Sequence, residues 1–374
     1  MALAGTMGRL RQLWPLDLNF DIRHPRALGL VRQLTENWRP RGEDIGRLAL
    51  GGRFSGDNTV FQVSGLTLTA GASVLTGAIN YAEGARPRVD AQLTASQLTP
   101  LEWLPAAGIA ALWPARDRLN RWLTAVDGDL TLAVTDLAVG GTTGGTPWHD
   151  GLLEADLSEG VLTVRRARAR REAGLVNLSG TLTGGALPTL AVTLAAEDFN
   201  LRGVRLNEDF ILRAGRGEGR ALLRSVGETF DEMLVNLSGS GDFALTEAIL
   251  AGIDLTALSV AATPPRRAAD FVRDAQRLLA TGTSRFNRAA GSFAVKDGVV
   301  QSSDIEITGP AALARVAMAV NLPADEVDLK CRLRLRSPAD APVFGLRLSG
   351  PIDNPRRILD VNELRDFVTI GAVN

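Results

Sequence analysis

The chain has 374 residues, of which 45% are hydrophobic and 22% charged, so it is long enough for two compact domains or one elongated domain and too apolar for a disordered chain. Its 41 basic and 42 acidic residues nearly cancel, and the basic excess of a general nucleic-acid-binding protein is therefore missing. Cys331 is the only cysteine, which excludes an internal disulfide bond and leaves the redox compartment open.

The first part of the chain predicts a strand, a helix and then a run of strands. Residues 16–22 alternate between apolar and polar side chains, which is typical of a strand with one apolar face. A helix is predicted over residues 25–38 because Pro25 suits the first helical position. Residues 46–95 predict strands of about five to eight residues each, separated by Gly, Asn or Pro.

A helical interlude follows and separates two blocks of strands. Short helices are predicted over residues 105–113 and 116–126, and the apolar side of the second consists of Leu119, Trp122, Leu123 and Val126. The surrounding run of residues 101–115 is too short and too interrupted to span a membrane, and residues 1–20 contain no apolar core of signal-peptide length. Residues 129–201 return to alternating strands.

Helices are also predicted in the C-terminal third. Ser225 and Glu228 have the spacing of a capping box and predict a helix start. Thr263-Pro264 begins another helix, and a last helix is predicted over residues 361–368. The inward side of the Thr263-Pro264 helix is expected to consist of Phe271, Ala275, Leu278 and Leu279.

The clearest strand covers residues 327–336, where five apolar residues alternate strictly with five charged ones. Burying each apolar side chain contributes about 1.5–3 kcal/mol, and a slip of one residue would place the charges in the apolar layer, so the register is strongly set. The apolar members are Val327, Leu329, Cys331, Leu333 and Leu335.

Weak repeats of the same one-faced pattern occur upstream, and they leave two interpretations open. The apolar faces close against one another or against the helices as a sandwich core, which the residues alone favour, or they line an open groove for acyl chains. In the second case, the residues that line the groove are Leu66, Leu68, Leu75, Ile79, Val316, Met318, Val320, Val327, Leu329, Leu333 and Leu335.

No set of catalytic residues is found, and we expect a protein that is not an enzyme and has no cofactor or metal. His24 and His149 are the only histidines, and neither lies in a zinc-binding spacing. Residues 215–220 lack the third glycine of a dinucleotide-binding loop and are interpreted as a flexible turn. The arginine-rich run of residues 165–171 is interpreted as the solvent-facing side of a strand, paired with nearby acids.

Several segments between Leu237 and Pro355, each a strand with its turn, resemble in order and spacing the C-terminal region of the AsmA-like family of bacterial envelope proteins. The segments are LSGSGDFAL from Leu237, AGIDL from Ala251, FNRAAGSF from Phe286, KDGVV from Lys296, IEITGP from Ile305 and VFGLRLSGP from Val343. Weaker blocks upstream, such as those near Gly151 and Gly160, resemble the repeats of the same family.

This resemblance implies a mainly β fold: an elongated, curved antiparallel sheet of repeated meanders that forms an open apolar trough, with a few short helices. It divides the chain into a β-repeat region with helical inserts (1–226), a C-terminal region (227–355) and a C-terminal helix or tail (356–374). It further implies transport of phospholipid between the inner and outer membranes, maintenance of outer-membrane integrity and a periplasmic location. The family's inner-membrane anchor is absent here, so we expect association with the membrane through a segment missing from this sequence. The alternative is a structural β-scaffold or interaction protein with a closed sandwich core.

Overall fold

The computed structural model describes residues 2–7, 16–26, 46–57, 59–99, 116–138, 148–263 and 267–370. Strands make up 64% of the structure and helices 13%, so the predicted fold class, antiparallel β-meanders with a few short helices, is confirmed. Of the helix predicted over residues 25–38, only Pro25 and Arg26 are described, and neither is helical; residues 27–38 and the helix predicted over residues 105–113 lie outside the described residues.

The strands follow one another with few helical interruptions. Their bounds are β1 Ala2–Met7, β2 Leu16–His24, β3 Leu48–Gly56, β4 Val60–Ala70, β5 Ser73–Ala82, β6 Arg88–Leu98, β7 Gly128–Leu137, β8 Trp148–Ser158, β9 Val161–Arg171, β10 Gly174–Thr183, β11 Thr189–Asn200, β12 Ile211–Val226, β13 Ser238–Ala251, β14 Thr283–Lys296, β15 Val299–Thr308, β16 Ala312–Asn321, β17 Glu326–Leu335, β18 Phe344–Pro351 and β19 Arg356–Asp360. The helices are α1 Arg116–Ala125, α2 Phe230–Val235, α3 Leu255–Ala261, α4 Ala268–Leu278 and α5 Asn362–Ile370.

Contacts between residues divide the chain into two compact units. Unit 1 contains Met1–Leu194 and Val226–Met233, and unit 2 contains Ala195–Ser225 and Leu234–Asn374. The predicted boundary at residues 226/227 stays a prediction.

In unit 1 the strands from β1 to β10 pair in chain order, and each pair is antiparallel except β6 with β7. That pair is parallel, with Ala91 opposite Leu130. A parallel pair needs a crossover connection, because the chain must return to the end of the sheet from which it started. Helix α1 lies in this connection, which explains why a helical interlude separates the two blocks of strands.

Helix α1 is attached to the turn after β10. The side-chain amide of Asn120 donates to the carbonyl of Gly185 at 2.8 Å, and its oxygen accepts from the N–H of Gly185 at 2.7 Å. Leu119 and Leu123 are buried as predicted, whereas Trp122, predicted on the same side, is 60% exposed. The prediction for Trp122 was wrong because helical spacing gives the direction of a side chain but not the width of the surface that covers the helix, and here only the side with Leu119 and Leu123 is buried.

In unit 2 the strands β12 to β19 also pair antiparallel in chain order. Helices α3 and α4 lie in the connection between β13 and β14, and α5 follows β19. All three helices are therefore connected to the sheet at the same end of its strands, where β13 and β19 end and β14 begins. Phe271, Ala275, Leu278 and Leu279 are buried, which confirms the predicted inward side of the helix that contains them.

Arg357 on β19 stabilises the end of unit 2 that carries the helices. Its side chain is only 12% exposed and forms an ion pair of 3.0 Å with Asp209. The guanidinium also donates to the carbonyls of Gly252 and Leu279 and lies 4.5 Å from the ring centroid of Phe210. A single cation thus joins β19 to the segments before β12, after β13 and after α4.

Two other local predictions were wrong. The helix start predicted at Ser225 lies four residues further on: β12 continues through Ser225, and in α2 the hydroxyl of Thr229 accepts from the N–H of Glu232 at 3.2 Å. Residues 215–220 form the interior of β12 instead of a turn. Their glycines fit a strand because other groups occupy the adjacent space: a Cβ at Gly217 would lie 3.0 Å from the side chain of Leu201, and one at Gly219 would lie 2.8 Å from the carbonyl oxygen of Asp242.

Candidate functional site

The apolar face of β16 and β17 carries seven of the eleven predicted groove residues. The register places Met318 opposite Leu329 and Val320 opposite Val327, and directly opposed residues share a face of the sheet. The same face continues toward the other end of the two strands with Val316, Leu333 and Leu335. The structure therefore brings this whole predicted group together, as period-two alternation implied.

Only one end of this face is fully buried. Leu333 is 3% exposed and Leu335 is 2% exposed, and both belong with Val316 to one core of buried side chains. Helices α3, α4 and α5 supply the other side of that core through Leu258, Phe271, Leu364 and Val368. We call this region the covered end. An acyl chain could reach these three strand residues only if the helices moved away.

The other end of the face carries Met318, Val320, Val327 and Leu329, which are half-buried, and Met318 and Leu329 also pack against the rim of that core. We call this region the open end. The segments that contain the three helices leave the sheet at the opposite end of the strands, where β17 ends at Leu335 and β18 begins at Phe344. On this face of β16 and β17, the apolar side chains of the open end stay partly accessible.

Four predicted groove residues lie on β4 and β5 of unit 1. Leu68 lies opposite Leu75, Leu66 lies opposite Gly77, and Ile79 lies opposite Val63. Leu66 is buried, whereas Leu68, Leu75 and Ile79 are half-buried. The four residues share one face, as the sequence predicted, and this face belongs to a different unit from the open end.

The face in unit 1 extends across neighbouring strands. The register aligns Ile79 with Ala91, Ala91 with Leu130, and Leu130 with Ala155, so one apolar row crosses β5, β6, β7 and β8. In the described part of unit 1 the buried apolar residues are few and dispersed: Leu66, Ala70, Ala95, Leu119, Leu123, Val134, Ala155 and Met233. Unit 1 therefore presents an apolar face without a compact core like the one in unit 2.

An aromatic cluster on the same face was not predicted. The rings of Phe61 and Tyr81 stack with centroids 4.6 Å apart, and those of Phe54 and Phe61 stack with centroids 5.0 Å apart. The sequence contained the signal, because Phe54, Phe61 and Tyr81 occupy the apolar positions of three successive strands.

The opposite face of unit 1 is polar, and several of its charges are paired. Arg88 forms ion pairs with Asp90 and Asp129, and Arg165 bonds Asp129 at 3.0 Å and Asp156 at 2.9 Å. The hydrogen bond from Arg165 holds the pKa of Asp129 below its ordinary value. The arginine-rich run of residues 165–171 lies on β9, and its predicted pairing with nearby acids is confirmed for Arg165.

The described residues offer little acid–base or metal chemistry. They contain no group of three or more His, Cys, Asp and Glu side chains that could hold a metal ion. Burial raises the pKa of Cys331 to about 12, so this thiol is a core side chain and not a reactive one. His149 bonds Asp136 at 2.7 Å on an exposed part of β8. Across the same residues, no helix combines the length and the apolar character that crossing a bilayer requires.

Comparisons with known proteins leave the family open. No family model, no curated protein and no solved structure matches the chain. The resemblance to the AsmA-like family therefore stays a prediction that rests on the strand and turn segments quoted above.

Proposed function

We propose that this protein is a non-enzymatic carrier of acyl lipid and that lipid chains bind to its uncovered apolar faces. The observation that carries the proposal is the open end of unit 2, where the half-buried Met318, Val320, Val327 and Leu329 form one continuous apolar surface. The apolar face around Leu68 and Leu75 in unit 1 is a second surface of the same kind. Both surfaces belong to regular sheets whose register is fixed by hydrogen bonds, so neither needs to refold to bind a ligand.

The energetics favour a lipid over a polar ligand. Each methylene that leaves water contributes about 0.8 kcal/mol, so a chain of sixteen carbons gains roughly 12 kcal/mol when fully buried. Paired open-end residues such as Met318 and Leu329 supply flexible and branched aliphatic contacts without a polar group that would need a partner. An extended acyl chain therefore suits this surface better than a sugar or a nucleotide does.

The biological setting is proposed from the AsmA-like resemblance. In that setting the protein resides in the periplasm, moves phospholipid between the inner and outer membranes and supports the integrity of the outer membrane.

A structural role is the second candidate, and one observation favours it. At the covered end, Val316, Leu333 and Leu335 close against helices α3 to α5 as an ordinary protein core. A scaffold that binds protein partners needs only such a core and exposed strand edges. On this alternative the open end would be covered by a protein partner and no lipid would accompany the purified protein.

A substitution on each surface tests the lipid proposal. Met318→Glu places a carboxylate on the open end, and we expect mass spectrometry of organic extracts to find several-fold less lipid than with the wild-type protein. Leu75→Glu tests the surface of unit 1 in the same way. The matched controls are Ala317→Glu and Thr76→Glu, which lie next to these positions on the opposite, polar faces.

The outcomes separate the two candidates. Lipid retained by the controls and lost from the face variants supports the carrier function, provided that circular dichroism shows all four variants folded. Purified wild-type protein without lipid, or variants that all retain it equally, would favour the scaffold.

A further inference from the structure

The outer face of β16 to β19, opposite the apolar face, has a local excess of positive charge. The alternating residues of β17 contribute Lys330, Arg332 and Arg334, and the neighbouring strands add Arg315 and Arg347. The whole chain carries a formal net charge of −1, so this excess is a local feature of the surface and not a property of the chain as a whole. We call these five residues the basic patch.

The register brings the five side chains together. Arg315 lies opposite Arg332, and Lys330 lies opposite Arg347, so each pair projects from adjacent strands on the same face. Neighbouring strands are about 4.8 Å apart, and positions two apart on one strand are about 7 Å apart. The five cations therefore lie close together on one face of the sheet and are not distributed over both faces.

The patch is only partly neutralised. Asp328 accepts from Arg347 at 2.8 Å and lies 3.9 Å from Lys330, and Glu306 pairs with Arg315 at 3.2 Å. Within the described residues, no carboxylate forms an ion pair with Arg332 or Arg334. The polar face of unit 1 differs, because there Arg88 and Arg165 are both held by aspartates. Two guanidinium groups at the centre of the patch thus remain available to an external anion.

Apolar side chains stand among these cations. Leu313 lies directly opposite Arg334 and is 38% exposed, and Ile358 lies opposite Arg347 and is 42% exposed. A shallow depression of about 560 Å³ is lined by residues that include Leu313, Arg315, Arg332 and Arg334. Exposed aliphatic groups beside arginines suit the boundary between headgroups and acyl chains of a bilayer. A soluble polyanion would contact only the arginines.

We propose that the basic patch is a docking surface for an anionic lipid bilayer, with Arg332 and Arg334 bound to headgroup phosphates and Leu313 in contact with the acyl boundary. Guanidinium groups bind phosphate oxygens in a bidentate manner, and basic side chains near an anionic membrane each strengthen its binding several-fold. The docking surface uses the face opposite the proposed lipid-binding surface. It therefore does not depend on lipid being carried there.

Sedimentation of the full chain with vesicles tests this proposal. The vesicles consist either of phosphatidylcholine alone or of phosphatidylcholine and phosphatidylglycerol in equal amounts. We expect binding to the anionic vesicles only, weakening as salt is raised. The double variant Arg332→Ala/Arg334→Ala should bind roughly thirty-fold more weakly. The matched control Arg168→Ala/Arg224→Ala removes the same charge from exposed positions elsewhere and should bind like the wild type.

A second variant distinguishes a bilayer from a soluble acidic partner. Leu313→Ser should weaken binding to anionic vesicles and leave binding to soluble polyglutamate unchanged. The proposal is overturned if the wild type ignores the anionic vesicles, if both arginine double variants lose binding equally, or if Leu313→Ser has no effect on vesicle binding. The melting curve of each variant is compared with that of the wild type. Equal curves show that a loss of vesicle binding is not caused by unfolding.

Discussion

Leu329 and Leu333 lie on the same face of β17, but Leu333 is covered by helices and Leu329 is only half-buried. Leu333 is 3% exposed in the core formed with helices α3 to α5, whereas Leu329 lies half-buried at the open end, opposite Met318. The two leucines are separated only by Lys330, Cys331 and Arg332. One strand therefore serves a structural core at one end and presents an apolar surface at the other.

Truncating these two leucines should have unequal effects on stability. Leu333→Ala removes a fully buried side chain and leaves a cavity, so we expect the free energy of unfolding to fall by about 2–5 kcal/mol. Leu329→Ala removes a side chain that still contacts water, and we expect a loss below about 1.5 kcal/mol. Denaturant unfolding of both variants measures the difference. Equal losses would mean that the open end is covered in solution.

Removing the Arg357 side chain should destabilise unit 2. Arg357→Ala leaves the carbonyls of Gly252 and Leu279 without this donor and Asp209 without its ion pair. We expect the free energy of unfolding to fall by about 2–4 kcal/mol, because hydrogen bonds to a charged group contribute more than neutral ones. The neighbouring Arg356 is exposed, and Arg356→Ala should change stability by less than about 0.5 kcal/mol. Similar effects of the two substitutions in thermal unfolding would contradict this role.

The pKa of Cys331 predicts a pH-dependent loss of stability. Burial raises the pKa of its thiol from the ordinary 9.0 to about 12, so the folded state holds the proton more tightly than the unfolded state. The stabilisation is complete below about pH 9 and is lost as the pH rises toward 12, by at most about 1.4 kcal/mol per pH unit. Denaturant unfolding at pH 8 and pH 10 should therefore show a larger decrease for the wild type than for Cys331→Ala. Equal decreases would show that the thiol ionises as readily in the folded protein.

Asn120 should attach helix α1 to unit 1. Asn120→Ala removes both hydrogen bonds to Gly185, and we expect amide hydrogens in α1 to exchange faster and the protein to lose about 1–2 kcal/mol of stability. Arg121→Ala, at the exposed adjacent position, is the control and should leave exchange in α1 unchanged. Protection that is the same in both variants would assign the anchoring of α1 to Leu119 and Leu123 alone.

The strands and their faces could be predicted from sequence because strand alternation depends on neighbouring residues. The pattern of residues 327–336 placed Leu329 and Leu333 on one face, and the structure has β17 at Glu326–Leu335 with that face. The amphipathic pattern of α4 likewise identified Phe271 and Ala275 as inward-facing. Each of these inferences needs only the local period of two or 3.6 residues.

The position of the helices over the sheet could not be predicted in this way. The three helices lie together at one end of the strands and bury Val316, Leu333 and Leu335 there. That placement depends on the end of the strands at which the long connections leave the sheet. This is a property of the chain's topology and not of any local sequence pattern. Helix α3 was missed, although Asp254 gave a signal: its carboxylate caps the helix by accepting from the N–H of Ala257 at 2.8 Å.

Photocrosslinking from β17 tests the central claim that lipid binds at the open end. A photoreactive leucine analogue is placed singly at Leu329, at Leu333 and, as a control on the opposite face, at Arg332, in cells that make the protein. Irradiation followed by mass spectrometry should find a phospholipid adduct at position 329 and none at 332 or 333. No adduct at 329, or adducts of equal yield at 329 and 332, would contradict the claim.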